Sequence, residues 1–277
     1  MIDKPIYVTG ARGCIGSRLL QANPKIIPIE GDILTIDFQS KLTPGSTLVH
    51  LAAKSNIAES RISPELYQRV NVDGLQRVAD ACLANNVRLL FTSTVHVYGC
   101  PGPLIKETCP NLVAYSPYGA TKIAGEKILE TLGAQGLHYS IFRMPGVFGY
   151  SPSLHFDTTI NKFLLEANEK RPITVWRSTW EATRPHLYIG DCVNAIQHFL
   201  NKDIFRNEIY NLITGNFTSK EIIEAIRLYI PDLEINFTDS SSMNPLLDID
   251  DAKIRNTGFT PIGTLAGGIA EMVQNLQ

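Results

Sequence analysis

At 277 residues and a net charge of −2, the chain is long enough to bury a substantial core, as one large domain or a domain with a smaller lobe. That charge gives no electrostatic case for nucleic acid or an anionic membrane, and no apolar stretch approaches the roughly 20 residues needed to span a bilayer. The start, Met1-Ile2-Asp3-Lys4-Pro5, has no basic segment followed by an apolar one, so no secretory signal is expected; Cys14, Cys82, Cys100, Cys109 and Cys192 form no C-x-x-C pair and read as reduced thiols of a cytoplasmic protein, not as a disulfide frame or metal site.

Ile6-Tyr7-Val8-Thr9 is a short β-branched run that stops at Gly10, and Gly13 and Gly16 follow at three-residue steps before Leu19 and Leu20 begin a helical pattern. Strand, glycine turn and helix in this order make a phosphate-binding corner. Gly10 permits the tight turn, Gly13 lets backbone approach a pyrophosphate, and Gly16 lets the helix pack close to the strand. The first-turn amides, around Cys14 and Ile15, then face the anion. The G-x-x-G-x-x-G spacing fits the generic dinucleotide fingerprint only loosely, but its place straight after a strand favours a dinucleotide over a ligand-free turn.

Lys25 to Ile29 reads as the second strand, with Glu30-Gly31-Asp32-Ile33 close behind. Thr47 to Ala53 is continuously apolar, the pattern of a buried parallel strand. Ser63-Pro64-Glu65 opens a long helix running to Cys82, with serine as a cap before proline. Val87 to Ser93 is a strand, Pro117 to Leu132 a second long helix, and Ser140 to Met144 another strand. Strands alternating with helices predict an α/β fold with a doubly wound parallel sheet and right-handed crossovers. Beyond Gly149 the pattern loosens: a loop over Tyr150–Phe156, helices at Thr158–Ala167, Asp191–Leu200, Ser219–Tyr229 and Ile262–Leu276, and strands at Ile173–Trp176 and Glu208–Ile213. The expected organisation is a dinucleotide-binding domain over residues 1–150, with 184–205 packing back on it, and a smaller α/β substrate lobe over 151–183 and 206–277 at the carboxyl edge of the sheet.

Tyr118 and Lys122 stand one helical turn apart, on the same face. A free tyrosine titrates near 10; a nearby ammonium stabilises the phenolate, and reaching 7 requires a shift of about three units, or roughly 4 kcal/mol. Such a pair is commonly a mere surface pair, and here it gains meaning by following a dinucleotide corner. Phe91-Thr92-Ser93-Thr94 ends a strand at the same sheet edge, where a hydroxyl either serves a substrate oxygen or simply terminates the strand.

Gly10/Gly13/Gly16, His50-Leu51-Ala52-Ala53, Asn71-Val72-Asp73-Gly74, Ser93-Thr94 before Val97-Tyr98-Gly99, and Tyr118-x-x-x-Lys122 follow one another as they do in the extended short-chain dehydrogenase/reductases. Arg184 before His186-Leu187-Tyr188-Ile189-Gly190-Asp191 also resembles that family's pattern, as do Tyr210-Asn211-Leu212 and Lys253 with Gly258-Phe259-Thr260-Pro261. Over nearly its whole length the chain resembles this group, the NAD-dependent epimerase/dehydratase family, and the resemblance implies a Rossmann-type sheet and a homodimer through the helices near Glu65–Ala84 and Tyr118–Leu132. It implies Tyr118 as proton-transferring base and acid, Lys122 holding the nicotinamide ribose and depressing the Tyr118 pKa, Thr94 orienting the substrate oxygen, and Asn71 supporting the lysine. Asp32 and Ile33 take the adenine positions, and Leu51, Ala52, Ala53 and Lys54 lie beside the pyrophosphate, with Thr92, Ser93 and Pro145 completing the cofactor set. The implied substrate set is Ser55, Thr94, Val95, His96, Tyr118, Gly146, Trp176 and Arg184. The implied chemistry is hydride transfer between a carbinol carbon and a nicotinamide ring.

Departures from the family pattern narrow the reading. The 4,6-dehydratases carry Thr-Asp-Glu where this chain has Thr94-Val95-His96, and valine cannot replace an acid, so a dehydratase is not expected. His96 either exchanges a carbon-bound proton or only lines the pocket. The segment after the second strand is short, as in reductase-like members, and a helix usual in longer epimerases is expected to be missing. Glu30 near the ribose hydroxyls favours NAD, while Arg12 in the glycine turn either meets a 2′-phosphate, favouring NADP, or packs over adenine. Arg143-Met144-Pro145-Gly146 lacks the asparagine that contacts a diphosphate in many sugar-nucleotide enzymes, Arg184 remains as a phosphate partner, and Trp176, Arg177 and Trp180 lie where a base stacks or a loop packs. The leading expectation is a nicotinamide-dependent 4-epimerase or 4-keto reductase of a nucleotide sugar. The alternatives are the same chemistry on a non-nucleotide carbonyl or alcohol, and a non-catalytic dinucleotide-binding regulator.

Overall fold

The computed structural model describes residues 4–99, 104–239 and 248–276; Cys100 and Met1–Asp3, on which the thiol and leader readings partly rest, lie outside them. Strand β1 (Ile6–Thr9) passes through the glycine turn into α1 (Cys14–Ala22), and β2 (Ile27–Pro28) is followed by one turn of helix, α2 (Phe38–Lys41). Next come β3 (Thr47–His50), α3 (Ile57–Ile62), α4 (Pro64–Gln68), a π-helical turn over Arg69–Asp73, and α5 (Gly74–Ala84). β4 (Arg88–Thr94), α6 (Pro117–Gly133) and β5 (Tyr139–Met144) close the first half. The second half holds β6 (Gly146–Phe148), α7 (Thr159–Asn168), β7 (Ile173–Trp176), β8 (Thr183–Tyr188), α8 (Ile189–Lys202), β9 (Glu208–Asn211), β10 (Gly215–Thr218), α9 (Ser219–Arg227), β11 (Ile235–Thr238), α10 (Ala252–Arg255) and α11 (Leu265–Leu276).

Six strands form one parallel sheet in the order β2-β1-β3-β4-β5-β9. The chain moves outward from β1 to β2, then crosses to β3 on the other side of β1. That reversal leaves a crevice at the carboxyl ends of β1 and β3, where ligands of doubly wound sheets sit. All residues of β3 and β5 are buried, which suits strands covered on both faces. One face packs Val8, Val49, Leu90 and Phe142 against Leu19 of α1 and Ile196 and Phe199 of α8; the other packs Leu48, Leu89 and Ile141 against Leu75 and Val78 of α5 and Leu129 of α6. A separate core joins α7, β7, α9 and α11 in the outer lobe. Among the described residues no helix is long and apolar enough to cross a membrane.

Four expectations change. The second strand is two residues long, not Lys25–Ile29, and ends at Pro28 on the sheet edge, where a residue without an N–H is tolerated. The strand expected in the lobe at Glu208–Ile213 is instead β9, the sixth strand of the central sheet, with Ser140 opposite Glu208 and Arg143 opposite Asn211. Thr183–Tyr188, Gly146–Phe148 and Gly215–Thr218 were not expected as strands; they pair as β10-β8-β6. Finally, Ser63 makes no side-chain cap for the helix after it, and the cap that forms is Asn56, whose side chain accepts from the Glu59 amide at the start of α3.

The π turn over Arg69–Asp73 carries Asn71, and such bulges re-aim side chains at functional sites. The buried Asn71 amide accepts from the Lys54 N–H at 2.8 Å and donates to the Lys54 carbonyl at 2.9 Å and to Thr121 Oγ1 at 3.0 Å. It thereby pins the segment after β3 to α6. Asn71→Ala leaves the Lys54 peptide groups without these partners and should lower unfolding stability by about 1–3 kcal/mol in urea titration. Gln76→Ala, on the exposed side of α5, should change it by less than about 0.5 kcal/mol.

Candidate active site

Gly10 has φ of +71°, and a Cβ there would lie 2.6 Å from the Ala52 nitrogen and 2.7 Å from the Leu51 carbonyl carbon. The turn after β1 thus touches the segment leaving β3. At Gly16 a Cβ would lie 2.2 Å from the Gly10 carbonyl oxygen, so this glycine serves the turn's own closure more directly than helix–strand packing. Gly13 caps α1 without a side-chain bond, and the α1 start opens on a cavity of about 960 Å³ walled by Gly10, Gly13, Cys14, Ile15 and Gly16. A concave backbone cradle at a helix N-terminus fits a pyrophosphate.

The same cavity is lined by Leu51, Ala53, Ser55, Thr92, Ser93, Thr94, Val95, His96, Tyr118, Lys122, Pro145, Gly146, Trp176 and Arg184. Ser116 caps α6 by accepting from the Gly119 amide at 3.1 Å, and Pro117 stands at its first turn, which sets the phase that brings Tyr118 and Lys122 inward. Thr94 Oγ1 accepts from the His96 amide at 3.3 Å, so its own proton is left to donate. Burial pushes the Tyr118 phenol up to about 12, against the opposing effect of its bond to Thr94. The Lys122 ammonium donates to the Thr92 carbonyl at 2.8 Å and stands 6.0 Å from the Tyr118 ring centre. Burial brings Lys122 down to about 8. The rise of Tyr118 is opposite to the lowering expected from Lys122, because desolvation of the phenol outweighs the bond from Thr94.

Burial, with Arg184 adding repulsion, holds both His96 and His186 near 4, so both imidazoles are neutral at pH 7. The Arg184 guanidinium stands 5.9 Å from the centre of the Trp176 ring. Trp180 lies elsewhere, packing edge-on to Phe237 in the outer lobe, where Arg177 pairs with Asp239 at 3.0 Å.

Other expected residues stay outside the cavity lining. Arg12 and Glu30, the two opposed cofactor signals, are exposed and paired to each other at 3.1 Å. Asp32 accepts from the Leu34 amide at 3.0 Å, and Ile33 is buried against Gly74 in the core. Lys54 pairs with Glu59 at 2.9 Å, its ammonium 5.9 Å from the Tyr67 ring centre. Asn71 reaches Lys54 and Thr121, not Lys122.

The structure adds to the lining His186, Lys162 and Glu166 of α7, and Arg171 just beyond that helix, and it places Glu126 behind Ser93. Arg184 and His186 lie two apart on β8 and so share a face, a period-two signal that was available in the sequence. Glu126 follows Lys122 by another helical turn, continuing the spacing that picked out Tyr118 and Lys122.

Comparison with known proteins bears on what this site is. The family model described as "NAD dependent epimerase/dehydratase family" matches residues 6–212. A Bacillus subtilis (strain 168) protein named "Uncharacterized UDP-glucose epimerase YtcB" is 27% identical over 261 residues, covering 90% of this chain and 79% of that protein. Among solved structures, a UDP-N-acetylglucosamine 4-epimerase from Methanobrevibacter ruminantium M1 in complex with UDP-N-acetylmuramic acid has a TM-score of 0.86 at 24% identity, covering 99% of this chain and 100% of that one. A UDP-glucuronic acid 4-epimerase from Bacillus cereus, in complex with UDP-glucuronic acid and NAD, has a TM-score of 0.85 at 23% identity, covering 99% and 100%. At these identities the structural likeness shows a shared fold. The family match spans most of the chain, and with it the chain belongs to the NAD-dependent epimerase/dehydratase family, as an enzyme of the extended short-chain dehydrogenase/reductase type.

Proposed function

We propose that this chain is an NAD-dependent 4-epimerase of UDP-sugars, working through Thr94, Tyr118 and Lys122. The observation that carries the reading is one continuous cavity. It runs from the glycine cradle, past Thr94 and Tyr118, to Arg184 and Trp176, and so suits two elongated ligands meeting at the phenol. Gly10, Gly13 and the start of α1 would hold NAD, which would supply reversible hydride chemistry at the sugar. The Arg12–Glu30 pair supports NAD over NADP, since a 2′-phosphate would have to displace Glu30 from Arg12 and then lie beside its carboxylate.

Each residue then has a defined task. Thr94 donates to the sugar O4 while Tyr118 takes the O4 proton, and the same two groups serve the return step from the opposite face of the sugar. Lys122 holds the cofactor ribose close to Tyr118. Arg184 takes the diphosphate, where its planar fork suits paired phosphate oxygens, and Trp176 stacks on the base. His96 and His186, neutral and buried beside Arg184, hydrogen-bond sugar hydroxyls. Val95 offers no carboxylate for eliminating water, which fits an epimerase and not a dehydratase. The thiols of Cys14, Cys82 and Cys192 are free, in keeping with a reducing compartment such as the cytoplasm. We place a homodimer contact on the helices over residues 65–84 and 118–132; Leu66, within the first, is 38% exposed, and Ile62, just before it at the end of α3, is 81% exposed.

Tyr118→Phe should lower kcat for the interconversion of UDP-glucose and UDP-galactose by about 10²–10⁴-fold with KM nearly unchanged; unaltered turnover would overturn the assignment of the base. Denaturing the purified protein should release close to one NAD per chain, because an epimerase regenerates its cofactor in each cycle. An empty protein would point to a reductase that exchanges its cofactor, and released NADP would reverse the reading of Glu30. Sedimentation equilibrium should give twice the chain mass, with Ile62→Glu shifting the protein towards monomer.

A further inference from the structure

Helix α7 presents one face to the cavity, and that face carries charges that the scheme above leaves unused. Thr158, Lys162 and Glu166 follow one another at one-turn spacing, and all three line the cavity. Thr158 begins the face beside Gly146, where a Cβ would lie 3.6 Å from the threonine Cβ, and its hydroxyl donates to the Val147 carbonyl at 2.9 Å. Eight residues of helix carry Glu166 roughly 12 Å farther from Gly146. The chain then passes Arg171, also in the cavity wall, and enters β7, which ends at Trp176.

Glu166 is only 8% exposed, and among the described residues its Oε2 has no hydrogen-bond partner. A buried carboxylate oxygen without a donor is costly, so one that lines a binding cavity points to a ligand that brings the donor. Two cations flank Oε1, Lys162 Nζ at 3.8 Å and Arg171 Nη1 at 3.9 Å, both too far for a hydrogen bond. Arg171 is held by Glu169, which accepts from Nε at 2.7 Å and lies 2.5 Å from Nη2, and this leaves Nη1 for Glu166 or a ligand. The carboxylate thus stands between two donors, with hydrogen-bonding capacity open on all three groups.

We propose that Lys162, Glu166 and Arg171 read the base of the nucleotide sugar, as a donor, an acceptor and a donor that match the imide edge of uracil. This rests on the UDP-sugar reading above. Uracil presents one N–H between two carbonyl oxygens. Glu166 accepts from the N–H, and the ammonium and guanidinium donate to the carbonyls on either side. Cytosine has a lone pair where uracil has the N–H, and an amino group in place of one carbonyl. It therefore meets the carboxylate with like polarity and sets its amino group against a cation. Guanine likewise sets its amino group against a cation. A site built to bond one pattern of donors and acceptors rejects the base that lacks it, because its own buried groups are then left unpaired.

Isothermal titration of the NAD-saturated protein with UDP, CDP and GDP reads this without turnover. The wild-type protein should bind UDP at least about tenfold more tightly than CDP or GDP. Glu166→Gln keeps the shape but offers an amide donor to the cytosine nitrogen, so UDP should weaken, CDP should strengthen, and the two should come within about threefold of each other. The wild-type series needs no variant, so it decides the matter even if Glu166→Gln folds poorly. Wild-type protein that binds CDP or GDP as tightly as UDP would overturn the proposal. An unchanged ratio of UDP to CDP affinity in a folded Glu166→Gln protein would also overturn it, and with normal turnover of UDP-sugar would leave the epimerase reading intact. A Glu166-dependent preference for UDP in a protein that turns over no UDP-sugar would uphold the proposal and overturn the epimerase reading instead. Binding of none of the three nucleotides would overturn both.

Discussion

The closeness of two backbone segments at Gly10 is the constraint on which the site depends. Because position 10 carries no side chain, the turn leaving β1 lies against the Leu51–Ala52 peptide at the end of β3. Any Cβ there would separate the two strand ends that bound the crevice. The Gly10 carbonyl in turn leaves no room for a Cβ at Gly16, so the helix start cannot drift from the turn. Strand order determines where the crevice is, and two glycines keep it narrow enough for first-turn amides to meet an anion.

Desolvation governs the chemistry inside that crevice. Tyr118 rises to about 12, Lys122 falls to about 8, and His96 and His186 sit near 4, each in the direction that disfavours charge. Bringing a phenol from about 12 to neutrality corresponds to roughly 7 kcal/mol. The lysine alone does not supply it, since its ammonium is 6.0 Å from the ring centre and donates to the Thr92 carbonyl. The bond from Thr94 opposes the rise of the Tyr118 phenol without overcoming it.

Local spacing was legible in the sequence and long-range pairing was not. Tyr118 and Lys122 were found because four residues make one helical turn; Glu126 obeys the same spacing but reads from sequence as a solvated acid, since its buried partner Arg143 is brought to it by a different strand. The strand at Glu208–Asn211 was recognised as a strand, yet its place in the central sheet depends on β5, distant in sequence, and the run itself carries no mark of that choice. The π turn at Asn71 is a matter of backbone bonding that side-chain periodicity does not record. Arg12 and Glu30 each pointed to a different cofactor when read singly, and only the fold shows them spending their charge on one another.

The two ends of the proposed reaction site hang from a single strand. Arg143, in β5, is bound to Glu126 behind the lysine, while Gly146, three residues on, begins β6 and lies opposite His186 of β8, next but one to Arg184. Arg143 also has Asn211 of β9 opposite it, and Asn211 accepts from Tyr98 at 2.6 Å, so the segment after β4 is tied to the same place. A strand rises only about 3.3 Å per residue, so the groups that hold a proton and those that hold a phosphate are separated by a short, buried and hydrogen-bonded link. A displacement of β5 would therefore move the proton relay and the anion site together. That shared mounting explains why a charge pair with no access to substrate lies so near the centre of the site.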